Sequence, residues 1–120
     1  MQQLMFEEKW DKTIAEEDRT WIKSQFENLS FNDHSGISFT VLNHAFNHRH
    51  HLLVTALVHN CTDQPVTIKN QSMTWGTQAT GTFTLPIEID AHHSMPWTFI
   101  FTDYASEIDQ NATLKMIGNN

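Results

Sequence analysis

The chain has 120 residues, 39% of them hydrophobic, and a formal net charge of −7 with histidine neutral. That length suits one domain with a core of its own. The acidic balance argues against nucleic-acid binding through phosphate neutralisation and against docking on an anionic membrane. A single cysteine, Cys61, excludes an internal disulfide. No apolar run approaches the ~20 residues of a membrane helix, so membrane insertion is not expected.

The opening MQQLMFEEKW has neither a basic region nor a long apolar run. A secretory leader is therefore not expected, and a cytoplasmic location is. Residues 1–12 carry Leu4, Met5, Phe6 and Trp10 without a clear period, which predicts an extended N-terminal arm with Trp10 packed on the body. Thr13-Ile14-Ala15-Glu16 matches a capping box, a hydroxyl followed three residues later by a carboxylate. Ile14, Trp21, Ile22, Phe26 and Leu29 then fall on one side at helical spacing. One helix is expected over about 14–28, its apolar stripe on a sheet.

Asn32 to Gly36 is a turn cluster. Ile37, Phe39 and Val41 alternate with Ser38 and Thr40, a half-buried strand running on to about Phe46. The loop Asn47 to His51 has no glycine, so a hairpin longer than a two-residue primed turn is expected. Leu52 to Cys61 is apolar on both faces, the pattern of an interior strand. It ends in the turn chemistry of Asn60-Cys61-Thr62-Asp63-Gln64-Pro65. Val66 and Ile68 resume the two-residue period. Short strands are expected around Met73 and Trp75 and around Phe83, Leu85 and Ile87. Met95, Trp97, Phe99 and Phe101 give the clearest strand pattern. Residues 103–110 suit a helical turn, residues 112–117 a last strand, and residues 118–120 a frayed end. The expected fold is α+β but mainly β: an antiparallel Ig-like β-sandwich over about 37–117 with the one helix packed on it, all within a single domain at 13–117.

Three segments together resemble the SLAP domain of Bacillus-type bacteria: WDKTIAEEDRTWIKSQF, LLVTALVHNCTDQPVTIKN, and SMPWTFIF preceded by GTFTL. The resemblance spans roughly residues 4–117. It implies a non-enzymatic domain with no catalytic residues and no cofactor to carry over. It also implies a link to accessory Sec export and assembly of surface-layer proteins. The histidines depart from the pattern, since Asp- or Lys-rich turns are usual where Asn47 to His51 stand.

The expected function is a non-catalytic protein-binding module whose partner is an unidentified protein. Its candidate surface is the strand edge at Ile37, Phe39 and Val41, open to a client strand or to a second copy. The alternative is a His-rich metal-binding or pH-responsive protein, with His48, His50 and His51 as the candidate ligands. Two histidines spaced two apart on extended chain share a face. No HExxH or paired cysteines accompany them, so an exposed histidine-rich loop is the plainer account.

Other constellations are thin. Cys61 beside His59 invites a thiol nucleophile, and Asp90, His93 and Ser94 invite a hydrolytic triad, but closeness in sequence is not triad geometry. Glu88 and Asp90 read as a solvated pair, and Trp75 and Trp97 as core rather than groove. Sequons at Asn28, Asn60, Asn70 and Asn111 read as accidents of an Asn-rich chain.

Overall fold

The computed structural model describes residues 2–31, 35–76, 79–102 and 113–117. The expected helical turn at 103–110, the sequon at Asn111 and the frayed end at 118–120 lie outside the described residues. The chain is mainly β, in two sheets. The elements are β1 (Gln3–Leu4), α1 (Glu8–Thr13), α2 (Glu16–Glu27), β2 (Gly36–Phe46), β3 (Leu52–Cys61), β4 (Gln71–Trp75), β5 (Ala79–Phe83), β6 (His93–Phe101) and β7 (Leu114–Met116). One sheet has the order β1-β6-β3-β2 and the other β5-β4-β7. All pairings are antiparallel except that of β1 with β6.

β3 is an interior strand, as its two apolar faces require. It pairs with β2 on one side and β6 on the other. Leu52, Val54, Ala56 and Val58 point inward and are fully buried against Met73, Trp75, Ile89, Met95, Phe99 and Phe101. Phe39, Phe83 and Phe101 set their rings edge-on in this core, Phe39 and Phe83 against Phe99 and Phe101 against Phe83. The other face of β3 carries Leu57 and His59, also fully buried. The helical segment covers it: Ile22 is buried, and the Phe31 ring stands edge-on to His59 with centroids 4.9 Å apart.

The N-terminal segment departs from expectation. Residues 1–12 are not an extended arm, because α1 begins at Glu8. Its cap is Glu7, whose carboxylate accepts the backbone N–H groups of Lys9 and Trp10, both at 3.1 Å. Six residues are too few to show an apolar period, so local capping rather than amphipathicity forms this turn. The expected capping box does not form. Thr13 ends α1 and donates its hydroxyl back to the Lys9 carbonyl, while Ala15 is the N-cap of α2. Arg19 joins the two helices, bonding the Asp11 carboxylate and the Asp11 carbonyl, the latter at 2.8 Å.

The β2–β3 hairpin closes between Phe46 and Leu52 through the expected longer loop. The Asn47 side chain accepts the N–H groups of Arg49 and His51, and His50 takes a left-handed φ of 61°. A β-bulge at Leu42, between Val41 and Asn43, switches the faces of β2. Ile37, Phe39 and Val41 face the core before it. After it, His44 and Phe46 stand opposite the core-facing Val54 and Leu52. Two expected strands shrink or move. Val66 forms only an isolated bridge to Ile89, and the strand expected near Leu85 and Ile87 lies earlier, at Ala79–Phe83.

Asn60 fixes the turn after β3. Fully buried, its amide donates to the carbonyls of Gln64, Ile89 and Asp90 at 2.8–3.1 Å. Its carbonyl oxygen accepts from the backbone N–H and the hydroxyl of Thr62. That nitrogen is fully engaged, so the sequon at Asn60 is not a glycan acceptor in the folded chain. Removing the side chain breaks three bonds that close this turn and tie it to the loop before β6, takes the acceptor from the Thr62 N–H, and leaves a hole at a fully buried position. We expect Asn60→Ala to lower unfolding stability by about 2–4 kcal/mol in a urea titration. A loss below about 1 kcal/mol would contradict this account of the turn.

Candidate functional site

The histidines do not gather. His48 and His50 are exposed on the β2–β3 loop and His51 is partly buried at its end. His44 packs its ring 5.5 Å from that of Trp75. Among the described residues, no three His, Cys, Asp or Glu side chains converge as a metal site would need. His92 instead meets Asp63 at 2.7 Å, and His93 Nδ1 meets the Ala91 carbonyl at 2.9 Å.

The triad of Asp90, His93 and Ser94 does not assemble, because Ser94 turns away from His93. Its hydroxyl lies 2.6 Å from Nδ1 of His59, a partner 35 residues distant that sequence spacing does not reveal. Nε2 of His59 lies 2.8 Å from the Thr40 hydroxyl, and Gln2 donates to Ser94 from the other side at 3.1 Å. A serine and a histidine this close suggest an activated nucleophile. Here both are fully buried, and each ring nitrogen already meets a hydroxyl. The chain Thr40–His59–Ser94–Gln2 runs across four strands' worth of sheet, from β2 to the residue preceding β1, and satisfies polar groups that the core cannot leave open.

Cys61 is partly buried where β3 leaves the sheet, paired with Gly36 of β2. Burial pushes its thiol above the ordinary value. A reactive thiol needs the opposite shift. Trp75 is core, only 1% exposed, and its indole N–H has no acceptor among the described residues. Trp97 is partly buried and packs against the same core.

Two surface features bear on binding. The first is the edge at Ile37, Phe39 and Val41. β2 is the outermost strand of its sheet, eleven residues long. It contains no Lys, Arg, Asp, Glu or Pro. Natural sheets usually guard their edges with such residues. β2 has only its bulge. The three apolar side chains are half-buried against the core.

The second feature lies on the outer face of the same sheet. Trp10, Ile14, Trp21 and Ile22 from the helical segment face Asn43 of β2 and Thr55 of β3 across a cavity of about 280 Å³. Thr13 and Asp18 complete its lining. Trp21 is 40% exposed and Ile100, farther along this face, 48%. The helical stripe thus covers only part of the sheet. The sequence pattern showed the stripe but gave no sign that the cover is incomplete.

Comparison with known proteins adds a family assignment. The family model described as SLAP domain matches residues 4–115. No curated protein and no solved structure matches the chain. The matched span takes in α1, α2, the edge strand and both sheets.

The shift at Cys61 gives a pH test. With its pKa raised in the fold, the thiol stays protonated where an unfolded thiol has begun to ionise. Alkylation by iodoacetamide at pH 7.5 should therefore be slower in the native protein than in urea. Its rate should keep rising with pH beyond the ordinary thiol range, about 8.5. By the same linkage, any stability from this group is full below the unfolded pKa and falls as pH climbs through the folded one. Native alkylation faster than in the unfolded chain would mean an activated thiolate.

Proposed function

We propose that this chain, which belongs to the SLAP domain family, is a non-catalytic protein-binding module that takes an extended segment of a client along the outer edge of β2. One observation carries the reading: an eleven-residue outermost strand with no charged residue and no proline. Among the described residues no strand pairs with its outer side, and added strands draw affinity from main-chain bonds along such an edge. The family description fits a role in accessory secretion or in assembly of surface-layer proteins, and we place the module there, in the cytoplasm. We read the two sheets around one core as an Ig-like sandwich, a scaffold that commonly presents edges and loops to protein partners.

The acidic surface supports a protein client over nucleic acid. The burial of His59 and Ser94 and the raised thiol of Cys61 support a module without chemistry of its own. Among the described residues, no helix is long and apolar enough to cross a membrane.

Proline scanning along β2 tests the edge. Half of the positions direct their N–H away from β3, where proline removes a donor to the client and leaves the native ladder whole. Those variants should keep the wild-type circular dichroism and lose about tenfold or more of the affinity for a partner recovered by co-purification from the native host. Unchanged affinity across all folded variants would refute binding at this edge.

A further inference from the structure

We infer that the cavity between the helical segment and the outer face of the sheet receives one lysine or arginine side chain, carried by the client strand. The inference rests on the strand-addition reading above and names the chemistry that the added strand presents.

The lining matches a side chain with an apolar stem and a cationic head. Ile14 and Ile22 offer apolar walls, and Trp10 and Trp21 offer aromatic ones. Asp18 shares that lining, is exposed, and makes no ion pair among the described residues. Arg19 is committed to Asp11 and Glu16 and Lys12 to Glu8, while Lys9 and Lys23 line other hollows of the surface. No basic residue stands among those lining the cavity. A lysine or arginine stem lies along apolar surface while its head seeks a carboxylate or an indole face, and this cavity offers both.

Other occupants fit less well. A purely apolar side chain would bring no partner to Asp18 while drawing it out of water. An acidic one would meet Asp18 and, in the same first turn of α2, Glu16 and Glu17. The net charge of −7 adds a long-range preference for a cationic segment.

Register supplies the delivery. Asn43 lies on β2 after the bulge, stands opposite Thr55, and lines the cavity. A strand added beside β2 would lie about 4.8 Å beyond it, with alternate side chains on the outer face. The side chain opposite Asn43 would stand next to the cavity, on the side of the sheet that the helices occupy.

Single-residue probes test the site without any strand to add. N-acetyl-lysine methylamide, its arginine counterpart and the isosteric norleucine compound are titrated into the intact protein while the indole N–H signals of Trp10 and Trp21 are followed by NMR. The cationic probes should shift those signals and bind about fivefold or more tightly than norleucine. Asp18→Asn is an exposed substitution that should keep the fold, checked by circular dichroism, and should reduce the cationic probes to the norleucine level. The inference is overturned by equal binding of norleucine, or by a cationic preference that survives in D18N. Silent indoles up to roughly 50 mM probe, the range in which a fragment finds a fitting site, would overturn it too. These outcomes do not touch the proline scan of β2. Loss of one reading is therefore distinguishable from loss of the other.

Discussion

β3 is flanked on both edges and covered on one face fully and on the other in part, and the rest of the fold answers that enclosure. Strands flank both its edges, a second sheet covers one face, and helices cover part of the other. Its aliphatic residues gain from this by leaving water. Its polar residues at the C-terminal end would lose by it, because a buried polar group without a partner is expensive. His59 and Asn60 are both fully buried, and both are bonded. Their partners come from β2, from the turn after β3, from the loop before β6 and from β6 itself. The strand that makes the core thus also fastens its surroundings.

The same enclosure leaves two places unfinished. β2 completes one side of β3, and among the described residues no strand lies beyond it in the sheet order. Phe31, packed near Phe26 of α2, covers His59 on the outer face, and a cavity opens between the helices and Asn43 and Thr55. Edge and cavity meet at Asn43. A client strand would use both at once, the ladder for affinity and the cavity for choice of side chain. The polar groups that resemble a catalytic set lie elsewhere, sealed inside, where they serve the core.

Much of the architecture was legible because apolar period is a direct image of burial. Leu52 to Cys61 reads as interior and is. Phe99 and Phe101 read as core and are. The helix over Glu16–Glu27 follows its stripe, and Ile37, Phe39 and Val41 turn toward the core as their alternation with Ser38 and Thr40 predicts. Illegible were features that depend on one side chain finding a distant group. Glu7 caps α1 without any periodic signal. The bulge at Leu42 reverses the faces of β2 without any glycine to mark it. Ser94 chooses His59 over its neighbour His93.

The order of apolar and polar residues along the chain determined which strands are buried, where the hairpin turns, and that the outer strand is free of charge, because each of these follows from the local sequence and the two-residue pleat. The tertiary structure alone decided that the helical stripe falls short of covering the sheet. It also decided that Trp10, Trp21 and Asp18 share a cavity with Asn43, and that the histidine and serine pair is sealed from solvent. Those are outcomes of how segments far apart in sequence fill three-dimensional space, and no period within a single segment encodes them.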